Sequence, residues 1–191
     1  MEILGGPAKG MNLKVPAGRE VRPTSVRSRR ALFDMLGNLS GQRFCDLFAG
    51  SGAVGIEAAS RGASHVLLVE KSPSALAMVR DNVKRAQGYC PEVLFQIFPG
   101  VLPDCLHKLT IAAPPPDIIF ADPPYAESAV LLDSLLKNPD FCRWAEKTVL
   151  LWELPDYRGE LKIFPENWSL KTIRNLGASR FLVIEKREKT E

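Results

Sequence analysis

The chain has 191 residues, 46% hydrophobic and 25% charged, proportions that suit one globular domain with a full core. Four widely spaced cysteines with no C-x-x-C pair and only two histidines argue against a zinc site or disulfide framework, and no apolar run reaches the roughly 18 residues needed to span a bilayer. The net charge is +3, yet residues 1–43 hold eight Lys/Arg against three Asp/Glu, so a basic N-terminal segment on a near-neutral body fits a polyanion partner.

The N-terminus, MEILGGPAKG, has no stretch of signal-peptide length, and a cytoplasmic monomer is expected. Gly5-Gly6, Gly10 and Pro16 punctuate short apolar pieces, the pattern of a small hairpin arm over about residues 1–22. The domain proper would then run from 23 to 191. In RPTSVRSRRALFDML, Thr24 or Ser25 can cap a helix ending near Leu36. Val26, Ala31, Leu32, Met35 and Leu36 would share its buried stripe, with Arg27 and Arg30 on another face.

Strands and helices then alternate. RFCDLFAG reads as a buried strand, GAVGIEAASRG as a helix and HVLLVE as a second strand. KSPSALAMVRDNVKRAQG is a helix with Ser72 as cap and Pro73 in its first turn. VLFQIF, DIIFAD and TVLLWEL supply three more strands, with a leucine-rich helix around 131–136. SLKTIRNL and SRFLVIEKR form a terminal antiparallel pair. This order predicts an α/β, doubly wound, mostly parallel sheet.

Two motifs carry chemistry. Gly50-Ser51-Gly52-Ala53-Val54-Gly55 matches G-x-G-x-x-G after a strand, and Glu70 follows at the end of the next strand. Such a loop admits an adenosine-type cofactor, either NAD or S-adenosylmethionine (SAM). Asp46, at the carboxyl end of its strand, favours SAM because it can receive the methionine ammonium. The second motif is Asp122-Pro123-Pro124-Tyr125, which ends the fourth strand. The prolines force extended geometry and aim the Asp122 carboxylate and the Pro123 carbonyl at one point. Two fixed acceptors can engage both protons of a planar amino group, and Tyr125 offers a stacking face for its ring.

Together these motifs resemble the RsmD-type bacterial 16S ribosomal RNA guanine-N2 methyltransferases. ILGGPAKGMNL is similar to that family's N-terminal hairpin, RPTSVRSRRALFDML to its arginine-rich helix, DLFAGSGAVGIEAASRGA to its SAM loop and DPPY to its amino-methylation corner. The resemblance implies a Rossmann-like class I SAM-dependent methyltransferase fold with a seven-stranded sheet, a C-terminal antiparallel hairpin and no metal. It implies cofactor contacts from Asp46, Phe48, Gly50, Ser51, Gly52 and Glu70, and a guanine held by Asp122, Pro123 and Tyr125. Arg22, Thr24, Arg27 and Arg29 would meet 16S rRNA within the small ribosomal subunit, and Arg30, which stands where the family usually has an acid, makes this RNA-binding surface more basic. The family commonly places an Asp or Asn near the end of the third strand to read the adenine. VLFQIFPG has neither, leaving Gln96 and the main chain around Ile97 and Phe98 as the expected contact. The competing functions are a DNA adenine-N6 methyltransferase, a nicotinamide dehydrogenase and a non-catalytic RNA-binding or assembly factor. The dehydrogenase leaves the Asp122 corner unexplained, and the DNA enzyme lacks room for a recognition insert.

Overall fold

The computed structural model describes residues 1–15, 26–154, 165–176 and 179–187. Seven strands form one sheet in the order β3-β2-β1-β4-β5-β7-β6. The strands are β1 (Arg43–Asp46), β2 (His65–Glu70), β3 (Leu94–Pro99), β4 (Ile118–Ala121), β5 (Val149–Leu154), β6 (Trp168–Leu176) and β7 (Ser179–Lys186). The first five run parallel, whereas β7 is antiparallel to both β5 and β6. A parallel pair needs a crossover, and the crossovers here are helices. Apolar strands such as Ile118–Ala121, buried at every position, are what a sheet covered on both faces requires.

One face carries α1 (Val26–Leu36), α2 (Ala53–Ser60) and α3 (Pro73–Gln87), whose Leu32, Phe33, Ile56, Val79 and Val83 join Phe44, Val66 and Phe120 in one core. The other face carries α4 (Leu106–Ala112), α5 (Ser128–Lys137) and α6 (Pro139–Trp144), packed through Leu109, Leu135, Phe141 and Trp144 onto Ile119, Leu150 and Trp152. Helix α3 starts as its sequence indicates, with the Ser72 side chain accepting from the Ala75 N–H and Pro73 in the first turn. Helices α4 and α6 were not expected. Each has seven residues or fewer, too short to display a helical period, although Asn138 caps α6 through the N–H groups of Asp140 and Phe141. Val26 is 50% exposed, so the buried stripe of α1 begins further along than its composition suggested.

The N-terminal hairpin is present in the described residues. Ile3 N–H donates to the Met11 carbonyl at 3.1 Å and Gly10 N–H to the Ile3 carbonyl at 2.8 Å, and Glu2 bridges Asn12. Its Ile3, Ala8, Met11 and Leu13 are buried in the same core as α1 and α2. The hairpin is therefore packed as part of the main body over residues 1–13. Residues 16–22 of the expected arm, Arg22 and Thr24 lie in segments outside the described residues.

Strand β1 pairs with both β2 and β4, with Asp46 opposite Leu68 and Phe120. Chain order reverses at this strand, and the crevice beyond its carboxyl end is where open α/β sheets bind ligands. The last residue of β4 is Ala121, so Asp122 emerges into that crevice.

Candidate functional site

The glycine loop turns sharply between β1 and α2. Gly50 and Gly52 have φ of 54° and 79°, a left-handed conformation that side chains disfavour. Gly55 serves a different need: a Cβ there would lie 2.3 Å from Leu68, so only glycine lets α2 sit this close to β2. The loop is fastened by Glu70, whose Oε2 accepts the Gly50 N–H at 2.8 Å while its Oε1 accepts the Ser72 N–H at 2.8 Å. Each carboxylate oxygen retains acceptor capacity beyond those bonds, which vicinal hydroxyls can use.

The loop opens on a cavity of about 660 Å³ lined by Asp46, Phe48, Gly50, Ser51, Glu70, Asp122, Pro123 and Tyr125, among others. The glycine loop and the Asp-Pro-Pro-Tyr corner thus border one space. Gly52 does not line it; it precedes α2 and faces Ile56 and Leu68, shaping the loop from within. Phe48 is braced edge-on against Trp152, with ring centroids 6.1 Å apart. Tyr125 is half-exposed at the mouth, a suitable place for a stacking face.

Four carboxylates line this cavity, those of Asp46, Glu70, Asp122 and Glu127, and that of Asp46 is buried. Burial pushes its carboxyl up to about 7, with the charges of Asp122 and Glu70 adding to the rise and the N–H groups of Phe48 and Gly55 opposing it. Among the described residues no basic side chain forms an ion pair with Asp46, so a cation brought into the cavity would be favoured there. The donor set suits SAM, which brings an ammonium, a sulfonium and a ribose diol; Asp46 would take the ammonium, Glu70 the hydroxyls, and the apolar walls the adenine. Among the described residues no cluster of His, Cys, Asp and Glu is arranged to hold a metal ion.

Gln96 and Phe98, expected at the cofactor as Gly52 was, also lie off the cavity. Gln96 sits opposite Leu67 in mid-strand and donates its amide to the Ala112 carbonyl at 3.0 Å. Phe98 packs beneath the α4 side of the sheet, behind Gly100, where a Cβ would meet its ring at 3.2 Å. Neither lines the cavity. Its wall on this side is Gly100, Val101 and Leu102, just past the carboxyl end of β3. None of the three carries a polar side chain that would mark it, and ligands in such sheets sit beyond the strand ends. Lys71, Met78 and Val15 also line the cavity without having been singled out.

Arg29, expected at the RNA, is instead part of the interior. Its side chain is completely buried, donates from Nη2 to the Glu2 carbonyl, and has Nε 3.7 Å from the equally buried Glu57 carboxylate. Burial lowers its affinity for a proton, partly offset by Glu57 and Glu2. Glu57 is in turn bonded by the Leu4 N–H at 2.7 Å and Arg61 Nε at 2.8 Å. Arg29 therefore ties the hairpin to α2 and cannot reach a phosphate. Leu32 and Phe33, three and four residues on, share its buried face, a signal present in the sequence. Arg27 and Arg30 are exposed, as expected.

The strand order, the glycine loop and the acidic cavity together define a class I methyltransferase. Residues 1–185 match the family described as Conserved hypothetical protein 95. The ribosomal RNA small subunit methyltransferase D of Buchnera aphidicola from Acyrthosiphon pisum is 32% identical over 171 residues, 88% of this chain and 84% of that protein. The Escherichia coli K12 protein of the same name is 30% identical over 171 residues, 89% of this chain and 82% of its own length. Among solved structures, a hypothetical protein of Thermus thermophilus superposes with a TM-score of 0.72 at 30% identity, covering 97% of this chain and 99% of that one. The chain belongs to this family, that of the RsmD-type methyltransferases.

Proposed function

We propose that the protein transfers a methyl group from SAM to the exocyclic N2 amine of a guanine in small-subunit ribosomal RNA, acting as a monomer on an assembled or assembling particle. The observation that carries this reading is that Asp46 and Glu70, suited to the cofactor, and Asp122, Pro123 and Tyr125, suited to a nucleobase amine, line one cavity. When bound, SAM supplies an electrophilic methyl carbon. The protein's part is orientation and electrostatics. The Asp122 carboxylate and the Pro123 carbonyl accept hydrogen bonds from the two amine N–H groups, which aims the nitrogen lone pair across the cavity. They also stabilise the positive charge that builds on nitrogen as it loses conjugation with the ring. Once the nitrogen carries the methyl group, one of the amine protons leaves by way of the carboxylate to water. Tyr125 stacks on a base that has left its own stack. Arg27 and Arg30, exposed on α1, with Arg22 and Thr24, meet the phosphates. The names of the relatives support ribosomal RNA as the substrate.

The test is to incubate the protein with methyl-labelled SAM and small subunits from cells lacking it, then digest the RNA to nucleosides. Label in N2-methylguanosine is expected. Label in N6-methyladenosine would transfer the corner's chemistry to adenine, and no transfer despite SAM binding would leave an RNA-binding factor.

A further inference from the structure

Asn82 on α3 is fully buried, and every bond it makes joins segments distant in sequence. Its Oδ1 accepts the Lys14 N–H at 2.9 Å and its Nδ2 donates to the Lys14 carbonyl at 2.9 Å. The same Nδ2 donates to the Ser51 carbonyl at 2.9 Å. One amide thus grips the end of the N-terminal hairpin like a strand partner while holding the middle of the glycine loop from behind. Ser51 lies between the two left-handed glycines, Gly50 and Gly52. Val15, next to Lys14, lines the cavity together with Ser51. From Val15 the chain enters the segment that carries Arg19 and Arg22.

We propose that Asn82 is a positioning residue that couples the hairpin to the glycine loop, so that filling the cofactor cavity and seating the hairpin stabilise each other. This rests on the cofactor reading above. Occupation of the cavity fixes Ser51; a fixed Ser51 carbonyl holds the Nδ2 donor, and the same amide holds both backbone groups of Lys14. Linkage makes the effect reciprocal: whatever seats the hairpin tightens the cofactor by the same factor. The exposed ion pair from Lys14 Nζ to Asp81, 2.7 Å long, lies outside this path because the Asn82 bonds use only the Lys14 main chain.

The experiment is amide hydrogen exchange on the full-length protein with and without S-adenosylhomocysteine (SAH). SAH is expected to slow exchange at the Lys14 amide about tenfold or more, alongside the glycine-loop amides. Asn82→Asp keeps the shape and the acceptor for Lys14 but loses both donated bonds. It is expected to lower SAH affinity about tenfold and to abolish the response at Lys14, while Lys14→Gln leaves SAH affinity unchanged. An unaltered Lys14 amide in wild-type protein saturated with SAH would overturn the coupling alone, and needs no variant to fold. So would an Asn82→Asp protein that melts earlier yet binds SAH as tightly as before. Absence of SAH binding to the wild type would overturn the coupling and the cofactor reading together.

Discussion

The two sides of the cavity are built differently. On the glycine-loop side polar side chains hold the loop and its surroundings in place: Glu70 holds Gly50 and Ser72, Asn82 holds Ser51, and behind them Arg29, Glu57 and Arg61 join the hairpin to α2. On the β4 side, two successive prolines offer no donors and Tyr125 stands half-exposed. The first side is a preformed socket and the second a rigid corner facing an incoming base. Changes to the first should therefore be felt in stability and cofactor affinity, and changes to the second in turnover.

The largest effect expected is on the socket's foundation. Arg29→Ala leaves Glu57 with one buried cationic partner fewer and should cost about 3–5 kcal/mol of stability in denaturant melts; a fully stable variant would mean the pair contributes little. Next, Asp122→Ala should lower kcat by about 10²–10³, with SAH affinity unchanged at a pH high enough to keep Asp46 ionised in both proteins. Near-normal turnover would remove Asp122 from the chemistry. Tyr125→Ala should cost about 1–3 kcal/mol in kcat/KM toward RNA, with SAH binding again unchanged; a loss of SAH affinity would erase the division between the two sides.

A smaller effect follows from Asp46. Its carboxyl, raised from 3.8 to about 7, must be ionised to receive an ammonium. SAH affinity should therefore rise about tenfold between pH 6 and 8, and Asp46→Asn should flatten that profile. In the ligand-free protein the sign reverses. A raised carboxyl favours the fold when neutral, so its contribution is full below about 3.8 and is lost as pH climbs toward 7. Asp46→Asn should make stability less sensitive to pH across that window. The smallest effect is expected at the exposed arginines: Arg27→Ala or Arg30→Ala should each reduce the salt slope of RNA binding by about 0.7–1, with SAH affinity intact.

Most of the fold was legible because the sequence repeats a simple alternation. Apolar runs of strand length, a capped amphipathic α3 and a glycine turn at Gly50–Gly55 each carry a local physical signature. Helices α4 and α6 are shorter than two helical periods, too short for an apolar stripe to show, leaving only the Asn138 cap to mark α6. Three of the cavity's acids and its proline corner were legible too, since Asp46, Glu70 and Asp122 all stand at strand ends, whereas Glu127 lines the cavity from the start of α5. What stayed hidden depends on three-dimensional partners. Arg29 looks like a phosphate ligand until Glu57, on another helix, is seen against it. The wall formed by Gly100–Leu102 has no polar side chain to announce it. Asn82 is an ordinary helical asparagine until the hairpin and the glycine loop are found on either side of it.

A crystal structure with SAH bound tests the central claim most directly. The homocysteine ammonium should contact Asp46, the ribose hydroxyls should meet Glu70, and the sulfur should face Asp122 across open space wide enough for a flat base. A sulfur turned away from Asp122, or SAH bound elsewhere on the molecule, would contradict it.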